Sequence, residues 1–112
     1  MQKGYQAMPE ARTIVQIDAL LAPLIPDFLA HRQEDFDFLR RSLDENHFEA
    51  IADMAHRLKG TLGCYGFLDG TPLAIALEGS AKAQDPEGVR RGISELVAYF
   101  ERIDIVYFEA SR

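Results

Sequence analysis

One segment repeats its apolar residues with a helical period. The repeat has spacings of three and four residues and consists of Phe48, Ile51, Ala55, Leu58, Leu62 and Tyr65. With about 3.6 residues per turn, this spacing places all six on one helix face, which must pack against other helices. Asn46 and Glu49 resemble a capping box at the start of this helix, and Gly63 and Gly66 mark its end.

Two further helical segments are predicted before this one. A short first helix covers about residues 13–22, and a longer helix runs from Pro23 or Leu24 to about Leu43. Pro26 would lie in the first turn of the longer helix, where a missing backbone N–H costs little.

Two more helices are predicted after it. The turn at residues 69–72 supplies Thr71 as a cap and a proline for the first turn, and the helix that follows ends at about Asp85. Asp85 and Pro86 repeat the start signal, and the last helix runs to about Phe108. Because the connections are short, consecutive helices should be antiparallel neighbours.

These elements predict an all-α fold, an antiparallel up-and-down four-helix bundle with a short extra N-terminal helix. The bundle would occupy residues 13–112 as one domain, behind a loose N-terminal segment, residues 1–12.

The charge and the cysteine content exclude several classes of protein. A formal charge of −6 disfavours nucleic acid and anionic membranes as partners. The longest apolar run, residues 19–25, is too short to span a membrane, and residues 1–12 contain no signal peptide pattern. The single cysteine, Cys64, cannot form an internal disulfide. We therefore expect a soluble protein in the cytoplasm.

His56 is the most distinctive candidate for chemistry. On a helical wheel it points about 130° away from the apolar face, beside Ala52, Lys59, Gly60 and Gly63. Small residues there would leave the imidazole open to another protein. Gly60 costs about 1 kcal/mol relative to alanine inside an exposed helix, which invites a functional explanation.

The sequence around His56 resembles the signature of histidine phosphotransfer domains. The anchors of that signature are present as His56, Leu58, Lys59, Gly60 and Gly66. Downstream, Leu77-Glu78 matches the family's Leu-Glu pair and is followed by Ala81 and Lys82. The placement of Glu78, 22 residues after the histidine, is especially similar to the phosphotransfer domain of chemotaxis kinases. The resemblance spans roughly residues 17–108.

The resemblance implies a role for each of these residues. His56 would accept a phosphoryl group on its outward nitrogen from an aspartate of a response-regulator receiver domain and later pass it on. Lys59 would stabilise the charge of the phosphoryl oxygens, and Glu78 would orient the imidazole. Ala52, Arg57, Gly60 and Gly63 would contact the partner, which is a receiver domain or a histidine or hybrid kinase.

The chain would then be a carrier in two-component signalling and not an enzyme, because it shows no ATP-binding or kinase motif. It would need no cofactor of its own, since Mg²⁺ would come from the receiver domain. The sequence leaves open whether the chain stands alone or belongs to a larger kinase.

Parts of the sequence are compatible with two other functions. A metal-binding bundle could use the pairs Asp44 with His47 and Asp53 with His56, but di-metal bundles need Glu-x-x-His on two helices, directed into the core. Alternatively, the chain could be a helical interaction module that docks on receiver domains without being phosphorylated.

Gly79 departs from the pattern of the phosphotransfer family. It directly follows Glu78 and could loosen the helical turn that presents this carboxylate.

Overall fold

The computed structural model describes residues 11–110. Four α-helices dominate it: α1 (Ile25–Asp44), α2 (Phe48–Tyr65), α3 (Thr71–Lys82) and α4 (Pro86–Arg102). Two 3₁₀ segments, Ala19–Leu24 and Leu68–Gly70, connect them to their neighbours, and two strands frame them, β1 (Thr13–Asp18) and β2 (Ile103–Phe108). Of the predicted loose segment, residues 1–10 lie outside the described residues.

The helices pack around one apolar core. Helix α2 packs most extensively on α3, α3 packs on α4, and α1 contacts both α2 and α4. Leu39, Ile51, Leu62, Leu77 and Leu96 are completely buried between them. The predicted mostly helical fold with four main helices is therefore confirmed. None of the helices in residues 11–110 is both long and apolar enough to cross a membrane.

The ends of the helices follow the proline and glycine signals more closely than the predicted caps. Pro26 lies in the first turn of α1, as predicted. Gly66 ends α2 with a φ of 95°, a conformation that glycine adopts without strain. The capping box was wrong, because Asn46 lies outside the helix and His47 precedes its first residue without a side-chain cap. Thr71 was also wrong as a cap, because it is already the first residue of α3.

The chain also contains a small sheet, where the sequence predicts only helices. The short N-terminal helix predicted over about residues 13–22 was wrong for residues 13–18, which form strand β1, while residues 19–22 belong to the 3₁₀ segment. The end of the last helix was wrong because α4 stops at Arg102 and residues 103–108 form β2. The two strands pair in parallel, from Thr13 opposite Ile103 to Asp18 opposite Phe108. Alternate β1 side chains, Val15 and Ile17, are buried in the core.

Arg12 ties the two strands to the end of α4. Its guanidinium donates hydrogen bonds to Asp104 Oδ1 at 2.9 Å and to the carbonyl oxygens of Glu101 and Ile103, both at 3.0 Å. The hydrogen bond from Arg12 holds the pKa of the Asp104 carboxyl below its ordinary value. The sheet therefore joins the two ends of the described chain with charge-assisted hydrogen bonds as well as backbone pairing.

Candidate functional site

Helices α2 and α3 bring together two residues that are 22 positions apart. His56 on α2 has its ring nitrogen Nδ1 at 3.2 Å from Oε2 of Glu78 on α3. Near the C-terminal end of α2, Gly63 faces Thr71 at the start of α3. The two helices therefore run in opposite directions, and this antiparallel packing is what places the carboxylate beside the imidazole.

Two lysines share the Glu78 carboxylate with His56. Lys82 Nζ lies 3.1 Å from Oε2, and Lys59 Nζ lies 3.7 Å from Oε1. Glu78 itself is only 9% exposed, which makes it one of the few buried polar residues among those described. A carboxylate in this position is compensated by cations on both helices.

These cations keep the carboxyl group ionised. The hydrogen bond from Lys82 is the largest influence and lowers the pKa of Glu78 below its ordinary value, although burial acts in the opposite direction. The charges of Lys82, Lys59 and His56 lower it further. Glu78 is therefore negatively charged at neutral pH.

The ionised carboxylate determines which nitrogen of a neutral His56 carries the proton. A carboxylate without its proton can only accept hydrogen bonds, so Nδ1 must be the donor in its contact with Glu78. A neutral imidazole has one N–H, which leaves Nε2 with a free lone pair. The side chain of His56 is 64% exposed. The arrangement therefore offers Nε2 as an accessible nucleophilic nitrogen, on a ring whose orientation is fixed by the contact between Nδ1 and Glu78.

The surface of α2 beside His56 is mostly as predicted. Gly60 and Gly63 are exposed, and a Cβ atom added to Gly60 would meet no atom within 4 Å. Arg57 is also exposed and lies near Met54 Sδ. The prediction that Ala52 lies on this surface was wrong, because Ala52 is 9% exposed and belongs to the core. The helical wheel underestimated the width of the face that two neighbouring helices cover.

Helix α3 is not interrupted at Gly79. The helix continues to Lys82, and a Cβ atom at Gly79 would meet nothing within 4 Å. Glu78 is thus presented from a regular helix in spite of its glycine neighbour.

The contact of Lys82 with Glu78 adds a residue to the site that is not among the predicted site residues. Lys82 follows Glu78 by four residues on the same helix, a spacing at which a glutamate and a lysine meet. That spacing could have identified it, since the pair was visible as soon as Glu78 was placed on a helix.

Residues 11–110 contain no group of three or more His, Cys, Asp or Glu side chains that could hold a metal ion. Of the two histidines that the rival metal site would have used, His56 contacts Glu78 on the neighbouring helix and His47 contacts Glu45.

Comparison with known proteins agrees with the geometry. The sequence matches the family model described as Hpt domain over residues 23–104. The chain belongs to the Hpt domain family. This family carries out histidine phosphotransfer in phosphorelay signalling, and its members are phosphocarrier modules and not kinases. Strand β1 lies outside the matched residues, as do residues 105–108 of β2.

A solved structure supports the same assignment. The chain is similar to the solution structure of the Escherichia coli YojN histidine-phosphotransferase (HPt) domain, with 27% sequence identity and a TM-score of 0.66. The similarity covers 74% of this chain and 73% of that chain. No curated protein sequence matches the chain.

Proposed function

We propose that this Hpt domain carries a phosphoryl group on Nε2 of His56 and exchanges it with aspartates of response-regulator receiver domains. The observation that carries the proposal is the contact between His56 Nδ1 and the ionised Glu78. It leaves the lone pair on the nitrogen that faces away from the carboxylate. The same contact supports the role of Glu78 as the group that orients the imidazole.

The proposed step is an in-line displacement at phosphorus. The Nε2 lone pair attacks the phosphorus of an aspartyl phosphate, the N–P bond forms as the P–O bond breaks, and the aspartate leaves as a carboxylate. The ring acquires a positive charge that it shares with Nδ1–H, and Glu78 Oε2 at 3.2 Å compensates that charge. The reverse displacement delivers the phosphoryl group to the next aspartate.

Lys59 is proposed to stabilise the phosphoryl oxygens. It lies three residues after His56, one turn away on α2, and its 3.7 Å contact with Glu78 Oε1 is longer than a hydrogen bond. The ammonium group is therefore only loosely held and can turn towards the transferred group. Mg²⁺ would be bound by the receiver, so this chain would need no cofactor of its own.

Docking of the receiver is proposed to use the open surface of α2. Gly60 and Gly63 present no side chains there, which permits a close approach, and the exposed Arg57 can meet acidic groups of a partner. Ala52, being buried, would provide little contact surface. The same proposal has three further parts. A histidine or hybrid kinase feeds the relay, and the chain acts in the cytoplasm. All four helices form an antiparallel up-and-down bundle.

Incubation with a phosphorylated receiver domain tests the proposal. We expect acid-labile phosphate to appear on the wild-type chain and to be absent from a folded His56→Gln variant. His31→Gln and His47→Gln are matched controls, since both histidines are exposed and lie on the same chain. Receiver binding without any transfer would instead identify the chain as an interaction module, and normal transfer to His56→Gln would refute the proposed acceptor.

A further inference from the structure

Lys82 contacts the same carboxylate oxygen that faces His56. Oε2 of Glu78 lies 3.1 Å from Lys82 Nζ and 3.2 Å from His56 Nδ1. Lys59 approaches the other oxygen, Oε1, and only to 3.7 Å. Among the two lysines, Lys82 is thus the one within hydrogen-bond distance, and it holds the atom that the imidazole needs.

We infer that Lys82 is a positioning residue for phosphotransfer, one that fixes Glu78 Oε2 against His56 Nδ1 and so keeps Nε2 unprotonated. The inference rests on the proposed function of His56. Lys82 does not touch the reacting nitrogen and acts through the carboxylate.

The need for such a residue follows from the place of Glu78 in the fold. Its side chain is only 12% exposed, so water can solvate little of its charge. A glutamate side chain also has several rotatable bonds and can swing away from a single weak partner. Lys82, one turn further along α3, supplies a charge-assisted hydrogen bond that stabilises one position of the carboxylate.

The two lysines then have separable tasks. Lys82 is bound to the carboxylate oxygen behind the ring, whereas Lys59 is loosely held and lies on the helix of His56. Removing Lys82 should move part of the imidazole proton from Nδ1 to Nε2 and consequently lower the transfer rate. Removing Lys59 should lower the transfer rate while the imidazole keeps its proton on Nδ1.

The experiment compares Lys82→Met, Lys82→Arg and Lys59→Met with the wild type. ¹⁵N NMR of His56 in the unphosphorylated chain at neutral pH measures the fraction of the neutral ring with the proton on Nδ1. Transfer from one phosphorylated receiver measures the rate. Arg91→Met, on the exposed surface of α4, removes one positive charge without touching the site. Because Lys82 is 68% exposed, its variants should fold normally, which circular dichroism would verify.

We expect Lys82→Met to lower the Nδ1-protonated fraction and to slow transfer about tenfold, the lower end of what losing an orienting partner costs histidines in metal sites. Lys82→Arg should restore both quantities, and Arg91→Met should leave both unchanged. A wild-type protonation pattern and rate in Lys82→Met would overturn the inference, as would an arginine variant as impaired as the methionine one. If the wild type itself accepted no phosphoryl group, the proposed function would fail, while the NMR comparison would still decide what Lys82 does to the ring.

Discussion

Replacing Gly60 by leucine should make the protein more stable and a poorer phosphoryl carrier. Gly60 lies inside α2, four residues after His56 and on the same face, and a Cβ atom there would meet nothing within 4 Å. The substitution therefore creates no clash. Because glycine costs about 1 kcal/mol in an exposed helix interior, the gain in stability should be about that size, or roughly 4–8 °C in Tm for a domain near this length.

The transfer rate should move in the opposite direction. A leucine side chain one turn from the imidazole would hold the receiver away, and a displacement of about 1 Å can cost on the order of 100-fold in a reaction that depends on alignment. We expect a loss of between about 10-fold and 100-fold in the second-order rate of transfer. Gly60→Ala is the matched control, because it gains the same helix stability with almost no added bulk.

Thermal unfolding followed by circular dichroism, together with transfer from a phosphorylated receiver, measures both effects. A stabilised leucine variant with an unchanged transfer rate would refute the close approach of the receiver at Gly60. A leucine variant and an alanine variant that both lose stability would show that this turn of α2 is not an open helical surface.

Other substitutions test the packing, the sheet and the site. Gly92→Val should lower the free energy of unfolding in urea by about 1–3 kcal/mol, because a Cβ atom there already lies 3.1 Å from Leu77 Cδ1 and 3.4 Å from its Cα. Asp104→Asn should flatten the loss of stability in acid, because Arg12 lowers the pKa of this carboxyl below its ordinary 3.8. The ion pair between Arg12 and Asp104 therefore stabilises the fold above about pH 3.8. This stabilisation is lost as pH falls through the lowered pKa of Asp104. Glu78→Gln should shift some of the imidazole proton from Nδ1 to Nε2, seen by ¹⁵N NMR, and slow transfer modestly, since the amide can hydrogen-bond but carries no charge.

The Gly92 and Asp104 substitutions each have a control within the chain. Gly79→Val fills open space on α3 and should not destabilise the fold as Gly92→Val does. Asp37→Asn removes an exposed carboxylate that only approaches Arg40 at 3.5 Å, and it should leave the acid behaviour as in the wild type. Equal effects of the paired variants would contradict the contacts assigned to Gly92 and Asp104. If the fraction of His56 with its proton on Nδ1 were unchanged in Glu78→Gln, Glu78 would not orient the imidazole.

The helices could be predicted because their signals are local. The three-and-four spacing of α2, Pro26 in α1 and Gly66 after α2 each act within one or two turns of the chain. The resemblance around His56 was equally local, and the family comparison confirms it. Glu78 needed the resemblance, because no local pattern says which carboxylate on another helix will face a given histidine.

The sheet could not be predicted in this way. Residues 13–18 and 103–108 are about 90 positions apart, and neither strand forms without the other. Ile14, Ile17, Leu20 and Leu21 also fit a helical spacing, which hid the alternation of the buried Val15 and Ile17. At the other end, Ile103 and Tyr107 continue the spacing of α4, so only the tertiary pairing reveals where the helix ends.

The attachment point of the phosphoryl group tests the central claim most directly. The chain would be labelled with ¹⁵N-histidine, phosphorylated by a receiver domain, and studied by ³¹P and ¹⁵N NMR at a pH where phosphohistidine is stable. We predict that phosphorus couples to Nε2 of His56, and that Nδ1 keeps its proton against Glu78. Phosphorus on Nδ1 of that ring, or on His31 or His47, would contradict the account.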